Sequence, residues 1–293
     1  MNYFITDAGL RHVMELEQSV IAKYGSEGAM KIALKLKGVK LSYDGDGDDD
    51  EDDQNPVGYA VSGNLAIITI DGATRANASW LTRIYGMPTY DDIKLRFNQA
   101  YADPAVKMVF MDINSPGGQA NGTNSMAKFI SDFDSKIKPV VAYTSGLCAS
   151  AAVWYGTAGS ALCADADADV GSIGAINVFT SYARQLKESG IDATVTRSGP
   201  YKGVPNPYEK LSEKGQEVLT EEVQKWHSRF LVGLAANIGQ TPDVINKNIA
   251  SGKMFSSQQA LNLGLVKSII SREQLIANLN AKLDNSTRSP GRA

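Results

Sequence analysis

Three short apolar runs, each closed by turn residues and separated from the next by a segment of helical character, constrain this chain most. They are Leu65–Ile70 before Asp71-Gly72, Val106–Ile113 before Asn114-Ser115-Pro116-Gly117-Gly118, and Pro139–Tyr143 before Ser145-Gly146. Runs this short and this apolar read as buried strands. Residues 89–101, ending before Asp103-Pro104, and residues 122–135 read as helices. Downstream, 149–158 reads as a helix of small residues, and Ser160–Ala164 and Ala193–Arg197 as further strands. Over 212–238, Val218, Leu219, Val223, Trp226, Phe230, Leu231 and Leu234 fall on one helical face, a stripe suited to core or subunit packing. Residues 256–270 predict a helix, a Gly264 cap and a final strand. Strands alternating with helices predict an α/β fold of repeated βαβ units around a mostly parallel sheet.

The remaining segments set the boundaries. Residues 1–41 form a helical prefix, with Val13, Leu16, Val20 and Ile21 at three- and four-residue steps. Residues 42–58 form an acidic linker that carries eight acidic groups in DGDGDDDEDD. A calcium loop starting at Asp44 would need Gly at its sixth position and Glu at its twelfth, where the chain has Asp49 and Asn55. A solvated linker is the expectation. Residues 59–272 form the main domain, and 273–293 a C-terminal helix and flexible tail in which NSTRSPGRA is expected to lack fixed structure.

The net charge of −3 is set by that linker; without its eight groups, 24 acidic residues face 29 basic ones. No basic stripe with interleaved aromatics occurs, so nucleic acid is not an expected partner. Neither a signal peptide nor a long apolar span is visible, which predicts a soluble, cytoplasmic protein. The two cysteines, Cys148 and Cys163, lack disulfide-framework or zinc-ligand spacing. The two histidines, His12 and His227, are too few for a histidine-rich metal centre.

Three segments carry candidate chemistry. In NSPGG, Pro116 stiffens a turn whose glycines let backbone amides approach a ligand. Such amides hold an oxyanion, or the motif is simply a tight turn. In SGLCASAAVWYG, Ser150 enters a helix, either as an N-cap or as a nucleophile at the helix start. In SGPYKGVPNPY, Lys202 lies amid Gly, Pro and aromatic residues rather than in a charged run. Most lysines are solvated surface groups. One buried in apolar surroundings becomes neutral near pH 7 and accepts a proton from a serine. With histidine so scarce, a lysine base is the simplest partner for a serine nucleophile.

NSPGG, the Ala149-Ser150-Ala151 triplet, Gly171-Ser172-Ile173-Gly174 and Tyr201-Lys202 occur in the order and at separations similar to those of the signal peptide peptidase A family of Ser–Lys peptidases. The stretch from about 60 to 270 resembles that family. The Clp protease subunit is similar at NSPGG but carries a histidine downstream of its serine, where this chain has GSIGAIN. YGMPTYDDIKLRFNQAYADPAVKMVFMDINSPGG and SGPYKGVPNPYEKLSEKGQEVL resemble the head-maturation proteases of tailed phages more closely.

The resemblance implies a Clp-protease/crotonase-like fold and peptide-bond hydrolysis without a metal or other cofactor. It implies Ser150 as nucleophile, Lys202 as base and Ser172 as the group that orients the lysine, although Ser172 also reads as a turn serine. It implies the amides of Gly118 and Ala151 as the oxyanion hole, with Gly117 shaping the turn. Small apolar side chains beside the scissile bond, homo-oligomer formation, and capsid, scaffold or portal proteins as substrates follow from the same likeness. Membrane-bound members begin with an anchor, where this chain has its prefix and linker. Rival readings are a crotonase-like acyl-CoA enzyme, which normally needs carboxylates absent from the first two motifs, and an inactive assembly protein on the same fold. A Cys148 nucleophile lacks an activating neighbour.

Overall fold

The computed structural model describes residues 58–79, 82 and 85–288. The helical prefix, His12 and all of the acidic linker before Gly58 lie outside the described residues. Among those described, no helix is long and apolar enough to cross a membrane.

The apolar runs form the centre of a six-stranded sheet. Its strands are β1 (Ala60–Ser62), β2 (Leu65–Asp71), β3 (Met108–Asn114), β4 (Val140–Thr144), β6 (Ala161–Ala164) and β9 (Ser268–Ile269), adjacent in that order. Only β1 runs antiparallel to its neighbour; the other pairings are parallel. Successive side chains along β2–β4 point to opposite faces. Ala66, Ile68, Ile70, Val109, Met111, Ile113, Val140 and Ala142 enter the main core. Leu65, Ile67, Met108, Phe110, Val141 and Tyr143 enter a second, smaller one. Both faces are therefore covered, which explains why the sequence shows continuous apolar runs rather than alternation.

Helices α1 (Tyr90–Ala102) and α2 (Thr123–Lys136) face the main core. Thr89 caps α1 by accepting from the Asp92 amide, and Asp91 and Asp92 oppose its positive end. The chain leaves the helix at Asp103, extended before Pro104. Phe97 from α1 meets Phe133 from α2 edge-on, with ring centres 4.9 Å apart. The six-residue α3 (Ala151–Gly156) is buried throughout. Against it lies the C-terminal half of α5 (Glu213–Ile238), where Phe230 stacks on Trp154 at 5.2 Å. Gly233 permits that approach, because a Cβ there would stand 2.2 Å from the indole nitrogen. Asn237 donates to the Trp154 carbonyl, closing the end of α3. The packing stripe expected on α5 is buried at Phe230, Leu231 and Leu234, whereas Val218, Leu219, Val223 and Trp226 are only half-buried.

A second sheet of three short strands, β5 (Leu147–Ala149), β7 (Asp169–Gly171) and β8 (Met254–Ser256), was not expected from the sequence. Conversely, Ala193–Arg197 does not form the expected strand; it is mostly exposed and joins neither sheet. Between Gly174 and Leu211 the one regular element is α4 (Ala183–Glu188), which buries no residue. Helices α6 (Pro242–Asn248) and α7 (Ser257–Asn262) follow. Finally, α8 (Arg272–Arg288) crosses the sheet's second face with Leu275, Ile276, Leu279 and Leu283. Arg272 pairs with Asp112 on β3 at 2.7 Å, and Asn280 accepts from the Asn64 amide. Of NSTRSPGRA, expected to lack fixed structure, Asn285–Arg288 belong to α8, and residues 289–293 lie outside the described residues.

Candidate active site

Ser150 joins β5 to α3, and its backbone sets it apart from the other hydroxyl residues that precede helices. Thr89, Ser212, Thr241 and Ser256 each accept a hydrogen bond from the amide three residues on. The Ser150 side chain makes no capping bond, and its φ of 52° and ψ of −125° lie in a region that residues with a Cβ rarely occupy. The N-cap alternative therefore does not describe this serine. A hydroxyl on a sharp strand-to-helix turn stands clear of its own backbone, as a nucleophilic serine requires. The side chain is half-buried.

The turn is held from both sides. The Ser150 amide donates to the Gly171 carbonyl at 2.8 Å, and its carbonyl accepts from the Val153 amide at 2.9 Å. On the other flank, Ser115 and Ala149 belong to a ladder in which Ser115 N–H meets the Leu147 carbonyl and Ala149 N–H meets the Ser115 carbonyl. This ladder lays the NSPGG turn directly against the start of α3. A Cβ on Gly117 would stand 2.7 Å from both the Ala149 carbonyl oxygen and the Ser150 Cβ, and 2.9 Å from the Ala151 nitrogen. With φ at 99°, Gly117 also has a conformation that favours glycine.

Two amides beside Ser150 are unengaged. The Gly117 amide donates to Ser115 Oγ at 3.1 Å. None of the hydrogen bonds among the described residues uses the amide of Gly118 or that of Ala151. Ala151 is the first residue of α3, so its N–H belongs to the unpaired donors of a helix start.

Ser172 lies behind the nucleophile. It follows Gly171, which holds the Ser150 amide, and its own amide donates to the Lys253 carbonyl at 2.8 Å. With φ at 53°, it is the one other described non-glycine residue of positive φ. The structure thus brings Ser150, Ala151, Gly117 and Gly118 together and places the Gly171-Ser172 turn beside them.

Lys202 is different. The expectation of a lysine buried among apolar neighbours is not met within the single chain: Lys202 is exposed, on a turn where its amide donates to the Gly199 carbonyl. Its aromatic neighbours are exposed as well, Tyr201 at 63% and Tyr208 at 54%. No contact among the described residues joins Lys202 to Ser150 or Ser172. Sequence reasoning missed Lys253, whose backbone borders Ser172, because it lies in SGKMFS without a motif around it. Thr74 was also missed; its backbone bonds to the NSPGG turn on the side away from Ser150, and only topology brings it there.

The rival nucleophile is accounted for by packing. Cys148 is fully buried, which pushes its thiol up to about 12 and leaves no thiolate near neutrality. His227, on α5, has Asn246 Oδ1 at 3.2 Å from its Nε2.

Against this geometry stand the comparisons with known proteins. A family model described as Peptidase family S49 matches residues 132–286, more than half of the chain and including Ser150, Ser172 and Lys202. Capsid assembly protease C of Escherichia phage lambda is 28% identical over 77% of this chain and 51% of its own length. Head-tail preconnector protein GP5 of Enterobacteria phage P21 is 28% identical over 78% of this chain and 45% of its own length. Protease 4 of Salmonella typhi is 27% identical over 71% of this chain and 32% of its own. The chain thus spans about half the length, or less, of these relatives.

Proposed function

The chain belongs to peptidase family S49, and from that premise we propose that it is a serine endopeptidase using a Ser150–Lys202 dyad. The observation that carries the reading is the uncapped Ser150 hydroxyl on its strained turn, flanked by two unengaged amides. Ser150 Oγ attacks the scissile carbonyl while neutral Lys202 takes its proton. The Gly118 and Ala151 amides receive the oxyanion as it forms. Lys202 then passes the proton to the departing amine, and the acyl-enzyme bond breaks when water, deprotonated by the same lysine, attacks it. Ser172 orients the lysine.

A neutral lysine needs desolvation, which the single chain does not provide at position 202. Ile176, Val178, Ile191, Tyr201 and Tyr208 on the same segment are exposed and need cover. We read this protein as a homo-oligomer whose contacts cover that segment and with it Lys202. Because one relative is named a capsid assembly protease, capsid, scaffold or portal proteins are the proposed substrates. The proposed place of action is the bacterial host cytoplasm or the procapsid. The assigned division is a helical prefix (1–41), an acidic linker (42–58) and a peptidase domain (59–272) followed by a C-terminal helix.

The test is hydrolysis of an unfolded, alanine-rich protein by wild type, Ser150→Ala and Lys202→Ala, with folding checked by circular dichroism. Wild type cleaves and each variant loses on the order of 10⁴-fold or more. Near-full activity of Lys202→Ala would remove the lysine from its role. Silence of the wild type, both intact and shortened to begin at Val57, would favour an inactive assembly protein.

A further inference from the structure

The NSPGG turn lies between two neighbours. On one side is Ser150; on the other is Thr74, a fully buried residue that follows β2. Thr74 holds the turn at three points. Its amide donates to the Gly117 carbonyl at 2.8 Å, its Oγ1 donates to the same carbonyl at 3.1 Å, and its carbonyl accepts from the Gln119 amide at 2.9 Å. The peptide group between Gly117 and Gly118 is planar and trans, so its C=O and N–H point in opposite directions. Fixing the Gly117 carbonyl on Thr74 therefore turns the Gly118 N–H away from Thr74, leaving it the one unengaged donor between two bonded ones.

The hydroxyl of Thr74 has one proton and two acceptors within reach, the Gly117 carbonyl and Tyr90 Oη, and the shorter contact, to Gly117, takes it. Tyr90 Oη lies 3.4 Å from it and 2.8 Å from Thr123 Oγ1, and Thr123 Oγ1 donates to the Gln119 carbonyl at 2.9 Å. One consistent set of protons runs from Tyr90 to Thr123, from Thr123 to Gln119 and from Thr74 to Gly117. The near face of the turn is fixed separately: Ser115 Oγ accepts from the Gly117 amide and donates to the Gly72 carbonyl at 2.7 Å. No buried polar atom of Thr74 or Ser115 is left over for a merely local turn, and a Cβ on Gly118 would collide with Thr74, at 2.0 Å from its carbonyl oxygen.

We propose that Thr74 is a positioning residue of the oxyanion hole, whose hydroxyl locks the Gly117–Gly118 peptide so that the Gly118 amide is aimed at the developing oxyanion. The inference rests on Ser150 being the nucleophile. Thr74→Val removes the hydroxyl but keeps the backbone bonds, and Thr74→Ser restores it. The reaction is read as kcat and KM on a peptide substrate. Binding is read with two probes, a peptide aldehyde that forms a tetrahedral adduct with the serine and the matching unreactive carboxamide. Thr74→Val is expected to lower kcat and aldehyde affinity by the same factor, on the order of 10- to 100-fold, less than complete loss of an oxyanion donor. KM and carboxamide binding stay as in wild type, and Thr74→Ser recovers to within about 3-fold of wild type. Should Thr74→Val fail to fold, Ser115→Ala loosens the other face of the same peptide and reads the same split. Wild-type kcat in the folded variant, or equal loss for both probes, overturns the proposal. Ser150→Ala, run beside it, separates the two levels: if that variant stays active the nucleophile assignment has failed, and if it is dead while Thr74→Val is normal only the role of Thr74 has.

Discussion

Ser150 and Lys202, the two side chains assigned to the dyad, stand in regions built on opposite terms. From β4 to β7 most residues are buried, α3 is buried throughout, and the strained turn is bonded at its amide and its carbonyl. From Gly174 to Leu211, around Lys202, the chain forms one short helix, buries nothing in α4 and exposes several large apolar side chains. The first region holds an unfavourable serine conformation because its surroundings over-determine it. The second is tied together by polar contacts, such as Arg197 with Glu209 and the Tyr182 amide on the Pro207 carbonyl, but buries no side chain of its own. One half of the proposed chemistry is thus preset by the fold, and the other is conditional on contact.

The contrast can be broken most readily by amide hydrogen exchange. The amides of Ser150 and Ala149 should exchange at least ~10³-fold more slowly than those of Ala193–Arg197, since the former open only with the core. Protection of Ala193–Arg197 that disappears on dilution would place an assembly contact there; protection equal to the core at every concentration would end the distinction. A smaller effect comes from crowding the preset half. Gly117→Ala forces a Cβ against the Ala149 carbonyl and Ser150 at a positive φ, and should cost about 2–4 kcal/mol in denaturant unfolding. Smallest is the release of strain. Ser150→Gly removes the Cβ from the turn and should raise stability by about 1 kcal/mol while abolishing hydrolysis. A stability loss there would mean the turn is not strained.

Much of the fold was readable because long-range burial leaves a period. The runs LAIITI and PVVAY and the strand before NSPGG are continuous since both sheet faces are covered, and α1 begins and ends where capping and proline chemistry place it. The second sheet was not readable: three-residue strands carry no period, and β5, β7 and β8 are defined by partners far away in sequence. Ala193–Arg197 shows the reverse error. Its Thr-Val-Thr has strand propensity, but propensity forms no strand without an edge to pair with. At the site, the motifs located Ser150 and the turn beside it. They did not reveal the positive φ of Ser150 and Ser172, which the ladder and the Lys253 carbonyl impose. The burial expected of Lys202 is not met for a physical reason: apolar neighbours in sequence bury a side chain only when they have something to pack against.

The contacts of α8 carry a consequence for the order of events during synthesis. Leu275 closes the second face of the sheet, Arg272 grips Asp112 from 160 residues downstream, and Asn280 meets the Asn64 amide across 216. Until the ribosome has released α8, Phe110, Val141 and Tyr143 have no cover on that side, and the strands whose ends carry NSPGG and lead to Ser150 lack half of their support. A nascent chain of this kind covers the second face of its sheet only once α8 has been made, so the turn that carries Ser150 gains the last of its support late.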